Sequence, residues 1–87
     1  MTTEEIDIAL NSKDHRVRIA AINSPNATPE QISIALDDKK WRVRMAAIQN
    51  PNRTILHIIK GLEDTNTRVR AVSYIAWIIY RDIYYNH

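Results

Sequence analysis

The chain of 87 residues has no cysteine, a single glycine and three prolines. The absence of cysteine excludes disulfides, thiolate zinc sites, iron–sulfur clusters and a cysteine nucleophile. With Gly61 as the only glycine, the chain lacks the glycine-rich loops that hold nucleotide phosphates. The longest apolar stretch, near residues 71–80, is about half the length of a membrane span. We therefore expect neither a cofactor nor a membrane-spanning segment.

The net charge of +2 is modest, and its basic excess is concentrated in the middle of the chain, around Lys39, Lys40, Arg42, Arg44 and Arg53. Such a balance permits an acidic partner without requiring one. The first residues, 1–5, are polar and acidic, unlike a secretory signal. The expected location is the cytoplasm.

One tripeptide recurs at a fixed interval along the chain. Arg-Val-Arg occurs at residues 16–18, 42–44 and 68–70, so both steps are 26 residues long without gaps. Threonines, isoleucines and leucines align in the same frame. A fixed period of this size indicates a stack of repeats, each burying its apolar face against a neighbour.

We therefore predict a single all-α domain over residues 1–87. The predicted fold is a short right-handed α-solenoid of three 26-residue helical pairs. The units are residues 2–27 (unit 1), 28–53 (unit 2) and 54–79 (unit 3), and residues 80–87 extend the last helix. Three repeats are close to the minimum for a stable stack.

The start and end of each predicted helix have local signals. Thr2, Thr28 and Thr54 each open the first helix of a unit as N-caps, and Thr28 is followed by Pro29 at the first helical position. The second helices should begin near residues 14, 40 and 66. In units 1 and 2 their inward faces should be Val17, Ala20 and Ala21, and Val43, Ala46 and Ala47. Pro25 and Pro51 should follow the ends of the second helices in units 1 and 2.

The third unit departs from the pattern, because Trp77 takes the place of those prolines. The last helix should therefore run from about residue 67 to about residue 84 and close the stack. Ile75, Ile79 and Ile83 are spaced by four, so we expect them to face the core. We expect Tyr74 to plug the open end of the core.

One run in unit 2 has a distinctive order: Asp38-x-x-Trp41-Arg42-Val43-Arg44-x-Ala46-Ala47-x-x-Asn50-Pro51-Asn52-x-Thr54. Residues 14–30 follow a similar order. Both resemble the leucine-rich repeat variant motif, a relative of the HEAT and armadillo helical repeats, over about residues 2–76. The resemblance implies a helical solenoid. The iron–sulfur function of the best-known variant-repeat protein does not carry over, because this chain lacks cysteine.

The two arginine columns have two interpretations. HEAT-like resemblance implies that Arg18, Arg44 and Arg70 are structural and pair with an acid near the preceding turn, such as Asp14, Asp38 or Asp64. Exposed bases could instead form a ladder that contacts nucleic-acid phosphates. The nucleic-acid candidates are Arg16, Lys39, Lys40, Arg42, Arg53 and Arg68.

Five residues are candidates for a protein interface, where Trp, Tyr and Arg are enriched. They are Trp77, Tyr80, Arg81, Tyr84 and Trp41. The last helix could also mediate self-association into a homo-oligomer.

Catalytic and metal-binding patterns are weak. His15, His57 and His87 are far apart and lack zinc-site spacing, so we expect them at the surface. No serine lies in a nucleophile-elbow context. The expected function is therefore that of a non-catalytic regulator or adaptor that binds another protein, with nucleic-acid binding as the alternative. In size and general character the chain is also similar to the cytoplasmic antiholins of T4-type phages, which would imply binding to the cytoplasmic part of a holin.

Overall fold

The structure, a computed structural model, describes residues 1–85 and contains six α-helices and no β-strand within them. The predicted all-α class is therefore confirmed. The helices are α1 (Thr3–Leu10), α2 (His15–Ile22), α3 (Pro29–Ala35), α4 (Trp41–Gln49), α5 (Ile55–Leu62) and α6 (Thr67–Tyr84). His87 lies outside the described residues, as does the end of the predicted 80–87 extension.

The helix starts follow the sequence period. The first helices of the units begin at residues 3, 29 and 55, and the second helices begin at residues 15, 41 and 67. Each helix therefore begins 26 residues after its counterpart. The long last helix also has the predicted bounds, because no proline interrupts α6 where Pro25 and Pro51 follow α2 and α4.

Reciprocal caps define the first turn of the first helices. The Glu5 amide donates to the Thr2 hydroxyl, and the Thr2 amide donates to the Glu5 carboxylate at 2.8 Å. Thr28 and Gln31 repeat this arrangement at α3. These bonds satisfy amide donors that have no partner within the helix.

The second helices pack side by side in the order α2, α4, α6, and each also packs against the first helix of its own unit. In the first layer, α1 contacts α3. The molecule measures 40 × 26 × 15 Å, so its core is a single thin layer of side chains between the two layers of helices. The fully buried larger apolar residues are Ile6, Ile22, Ile32, Ile48, Val43 and Val69.

Helices α5 and α6 approach each other closely at Gly61. A Cβ atom at Gly61 would lie 2.0 Å from Ser73 Oγ and 2.9 Å from Ile48 Cδ1. Ser73 is fully buried, and its hydroxyl donates to the Val69 carbonyl at 2.7 Å. The corresponding positions in units 1 and 2 are pairs of alanines, so unit 3 has a glycine and a serine in place of two alanines.

The predicted inward face of α2 is confirmed for Ala21, which is fully buried, and wrong for its two other residues. Val17 and Ala20 are exposed, whereas their counterparts Val43 and Ala46 in α4 are buried. In α4 this side of the helix packs against the preceding α2, but no helix of the described residues covers the same side of α2.

The predicted inward face of α6 is also wrong. The buried residues of this helix are Val69, Ser73 and Ala76, whereas Ile79 is 46% exposed. Ile75 and Ile83 are exposed to a similar extent. The small residues face inward because α5 lies too close at Gly61 for isoleucine to fit there.

Tyr74 does not plug the end of the core as predicted. It is 57% exposed, although its counterparts Ile22 and Ile48 are fully buried. Instead Trp77 and Tyr80, both half-buried, pack against the core from the second half of α6.

Candidate interaction surfaces

The second arginine of each repeated tripeptide links its unit to the next one. Arg18 of unit 1 forms a two-pronged ion pair with Asp38 of unit 2, with Nε–Oδ2 and Nη2–Oδ1 distances of 2.7 and 3.1 Å. Arg44 of unit 2 pairs with Asp64 of unit 3 in the same way, at 2.8 and 3.1 Å. Such fork-shaped contacts are the strongest that arginine makes with a carboxylate.

This pairing differs from the predicted contact with an acid near the preceding turn. The preceding turn instead provides backbone carbonyls, since Arg18 Nη1 donates to Ser12 O and Arg44 Nη1 donates to Asp38 O. Asp14 pairs with Arg16 on the surface at 3.1 Å. The arginines therefore bridge between units rather than within them.

Burial and hydrogen bonding act in opposite directions on these aspartates. Desolvation alone would raise the pKa of Asp38, but hydrogen bonds from Arg18 and from the Lys40 amide outweigh it and hold the pKa below its ordinary value. Asp64 has a lowered pKa for the same reasons, with Arg44 and the Asn66 amide as donors. Both acids thus remain charged at the ends of buried pairs.

A second set of polar contacts links the units through side-chain amides. Asn50 Nδ2 donates to the carbonyls of Ile22 and Ser24 at 2.8 and 2.9 Å. Asn52 Nδ2 donates to the carbonyls of Pro25 and Ala27, both at 2.8 Å. Ile22 is the last residue of α2, and the other three carbonyls lie in the turn after it, so the two amides tie unit 2 to the end of unit 1. No role was predicted from the sequence for Asn50 or Asn52.

A third link joins the first helices. Gln31 Nε2 donates to Thr3 O and to Asp7 Oδ1, at 2.9 and 2.7 Å. His57 occupies the same place in unit 3, and its Nε2 lies 2.8 Å from Ser33 Oγ. The predicted surface location of His57 is wrong, since it is only 7% exposed.

The contacts of His57 define its protonation state. The Thr54 amide donates to Nδ1 at 2.9 Å, so Nδ1 has no proton and the neutral ring carries its proton on Nε2. Nε2 therefore donates to Ser33 Oγ, and Ser33 donates onward to the Pro29 carbonyl. His57 in this tautomer cannot act as a base toward Ser33, so the pair is a structural link rather than a nucleophile with its base.

We expect the stability of the protein to fall as the pH drops below about 7 because of His57. Burial lowers its pKa below the ordinary 6.5, with a smaller contribution from Lys60 and against the effect of the Pro29 carbonyl. The unfolded chain therefore binds a proton at a higher pH than the folded chain. The free energy of unfolding falls as the pH drops through 6.5 toward the folded pKa, by at most about 1.4 kcal/mol per pH unit.

Urea denaturation across this pH range measures the effect, with His57→Gln as the matched variant because Gln31 already fills the equivalent position. The variant should lose most of the slope below about pH 7. An unchanged slope would show that His57 is not the group responsible.

The exposed bases of the nucleic-acid alternative fall into two groups. Lys39, Lys40, Arg42 and Arg68 lie at the N-terminal ends of α4 and α6, and we call them the basic edge. Arg16 is exposed at the start of α2, where it pairs with Asp14. Arg53 does not join the basic edge, because it follows the far end of α4, about 13 Å away along the helix axis.

Trp41 lies at the centre of the basic edge and is half-buried. The guanidinium carbons of Arg42 and Arg68 lie 4.6 and 5.2 Å from its ring centroid. The indole therefore holds two arginines from neighbouring units in place through cation–π contacts.

The remaining interface candidates lie on the second half of α6. Trp77 stacks on Tyr80 with ring centroids 6.0 Å apart, and Tyr80 contacts Tyr84 at 4.5 Å. Tyr84 and Arg81 are exposed, whereas Trp77 and Tyr80 pack against the core. Tyr84 and Arg81 therefore form the accessible part of this candidate interface, whereas Trp77 and Tyr80 lie beneath it.

A shallow groove runs beside this aromatic cluster. Its walls are α6, with Ile75 and Ile79, the end of α4, with Ile48 and Gln49, and Arg53 in the turn after α4. An adjoining depression continues past Ile83 and Tyr84. We call Ile75, Ile79 and Ile83 the isoleucine face. This surface was not predicted from the sequence, because the three isoleucines were expected to face the core.

The described part of the chain contains no candidate metal site and no candidate membrane-spanning helix. Within residues 1–85, no three His, Cys, Asp or Glu side chains are grouped so that they could hold a metal ion. None of the six helices described there combines the length and apolarity needed to cross a bilayer.

Comparison with protein-family models, with curated proteins and with solved structures finds no match to this chain.

Proposed function

We propose that the chain is a non-catalytic regulator or adaptor that binds another protein through the isoleucine face of α6. The observation that carries the proposal is the exposure of this face. Ile75, Ile79 and Ile83 are each about half exposed along two turns of one helix. Contiguous apolar surface of this kind, bordered by polar residues, is typical of a binding site.

The shape of the groove favours a helical partner. The isoleucine face runs parallel to α6, and Gln49 and Arg53 border it on the α4 side. An amphipathic helix could bury its apolar side against the isoleucines and place an acid near Arg53. This arrangement is the helix-in-groove mode of recognition.

The architecture that we propose for this function is a short right-handed α-solenoid of three 26-residue units, closed by α6. The support comes from the equal spacing of the helix starts and from the serial links Arg18–Asp38 and Arg44–Asp64. Solenoids present extended surfaces that commonly bind other chains. Its proposed location is the cytoplasm.

One concrete version is an antiholin-type regulator of phage lysis. Its support is limited to the size and general character of the chain, together with the exposed isoleucine face. In this version the partner is the cytoplasmic part of a holin, and binding delays lysis.

Capture of partners from the host, compared between two variants, tests the proposal. Ile79→Asp should abolish capture of a specific protein, because it places a charge in the centre of the apolar contact. Ile34→Asp, on the exposed side of α3, is the matched control and should capture the same protein as the unaltered chain. If Ile79→Asp and Ile34→Asp retain the same protein equally, the isoleucine face is not the site. Trp77 is a poorer probe because it packs against the core.

The alternative function is nucleic-acid binding, and the basic edge favours it. Trp41 and its two stacked arginines could contact a base and the neighbouring phosphates. Binding of a labelled oligonucleotide would then weaken steeply with added salt and disappear in a Lys39→Glu, Lys40→Glu double variant. Absence of binding at low salt would remove this alternative.

A further inference from the structure

Three equivalent positions of units 1 and 2 lie at the boundary with the unit that follows. In unit 1, Arg18 pairs with Asp38, and Asp7 accepts a hydrogen bond from Gln31. Ile22, the third position, is fully buried. The boundary between units 1 and 2 therefore involves a polar side chain, an arginine and a large apolar residue of unit 1.

Unit 2 repeats these contacts with unit 3. Ser33 bonds to His57, Arg44 pairs with Asp64, and Ile48 is fully buried near Gly61. The same three positions therefore lie at both boundaries, so in units 1 and 2 this surface packs against the following unit.

In unit 3 the same three positions have no unit to contact within residues 1–85. They are Ile59, Arg70 and Tyr74, and all three are exposed. Arg70 donates to the Asp64 carbonyl and the Thr67 hydroxyl, and its charge helps to lower the pKa of Asp64. Within the described residues it forms none of the ion pairs that Arg18 and Arg44 form. We call these residues, together with the neighbouring Leu56 and Glu63, the open end.

At two positions the open end is more apolar than the matching surfaces of units 1 and 2, whereas Tyr74 is more polar than its counterparts Ile22 and Ile48. Leu56, which is 72% exposed, takes the place of Glu4 and Glu30. Ile59, which is 45% exposed, takes the place of Asp7 and Ser33. Large apolar side chains that are exposed next to one another commonly mark a surface that binds a partner. The open end is therefore a surface suited to being covered.

Its charges are arranged so that a second copy could cover it. Arg70 and Glu63 are both exposed, and no ion pair joins Glu63 to another described residue. In a twofold interface the same patch faces itself, so a patch must be complementary to its own rotated copy. A patch that combines apolar residues with an exposed arginine and an exposed glutamate, neither of them in an ion pair among the described residues, meets that requirement.

Head-to-tail stacking of copies fits the chain less well. Asp38 and Asp64 receive the arginines in the interior, but the equivalent residue of unit 1 is Ser12, which has no charge. Glu5 holds the position of Gln31 and His57, and a carboxylate cannot donate to the preceding unit as those two residues do. The start of unit 1 is therefore a poor partner for the open end of unit 3.

We propose that the chain forms a twofold homodimer through its open end. Leu56, Ile59 and Tyr74 form the apolar centre, and Arg70 of each copy pairs with Glu63 of the other. This surface lies apart from the isoleucine face, so the dimer and the proposed partner site fail or succeed independently.

Charge reversal tests the dimer by sedimentation equilibrium over a wide concentration range. Arg70→Glu alone and Glu63→Arg alone should each weaken association by about a hundredfold, because like charges would face each other twice in one interface. The double variant Arg70→Glu, Glu63→Arg should restore it, since both pairs are re-formed with the signs exchanged. An equal mixture of the two single variants should also associate.

Arg16→Glu is the matched control, because it reverses an exposed arginine that lies away from the open end, and it should leave association unchanged. Circular dichroism confirms that each variant keeps its helices. A chain that is monomeric at every concentration overturns the proposal. So does a dimer that tolerates both single reversals, or a double variant that stays monomeric.

Discussion

Asp38→Asn should lower the free energy of unfolding by about 2–3 kcal/mol, because it leaves the Arg18 guanidinium without its charged partner. The side chains of Arg18 and Asp38 are only 9% and 12% exposed, so water replaces little of the lost interaction. The effect should be somewhat smaller than for a fully buried pair. Urea denaturation monitored by circular dichroism measures it.

The adjacent residue supplies the control. Asp37 pairs with Lys60 on the surface, where both side chains are more than half exposed. Asp37→Asn should therefore cost less than about 1 kcal/mol. Equal costs for Asp37→Asn and Asp38→Asn would show that the inter-unit pair has no special weight.

Gly61→Ala should lower the free energy of unfolding by about 1–3 kcal/mol, although alanine is the better helix former. The new methyl group would overlap Ser73 Oγ, which is fully buried and has little room to move. Thermal or urea unfolding of the single variant measures this cost.

A second substitution should reverse the effect. Gly61→Ala combined with Ser73→Ala recreates the pairs Ala9–Ala21 and Ala35–Ala47 of the earlier units. The double variant should recover most of the lost stability, while Ser73→Ala alone should be nearly neutral. If the double variant is as unstable as Gly61→Ala, the steric contact with Ser73 is not the cause.

Much of the helix layout was predictable because it depends on local signals. Thr2 and Thr28 cap their helices with partners three residues on, and Pro51 lies just beyond α4. The bounds of α6 followed from Trp77 standing where a proline would have ended the helix. These features involve neighbours in sequence, which the chain itself shows.

Burial at the two ends was harder to predict. Val17 and Val43 are the same residue in the same repeat position, but only Val43 has a preceding helix to cover it. Tyr74 differs from Ile48 for the corresponding reason at the other end. A repeat pattern describes an average unit, whereas exposure depends on which neighbours are present.

The two faces of α6 could not be distinguished by periodicity. Isoleucines spaced by four and the smaller residues Ser73 and Ala76 both satisfy a helical period. The choice depends on how closely α5 approaches, and that distance depends on Gly61. One usable signal was the replacement of two alanines by a glycine and a serine at facing positions.

The direction of the arginine pairs also had a signal that the sequence analysis did not use. Arg18, Arg44 and Arg70 form a complete column, but the acid column contains Ser12, Asp38 and Asp64. Because unit 1 has Ser12 where units 2 and 3 have an aspartate, each arginine of units 1 and 2 can pair with the aspartate of the following unit. This pairing leaves Arg70 as the arginine without an aspartate in a following unit.

The central claim is that each unit is held to the next through contacts that run in series. A double-mutant cycle on Arg18 and Asp38, measured beside one on Arg18 and Asp14, tests it most directly. We expect a coupling free energy of about 2 kcal/mol for Arg18 with Asp38 and only a few tenths for Arg18 with Asp14. A larger coupling to Asp14, within the same unit, would contradict the account.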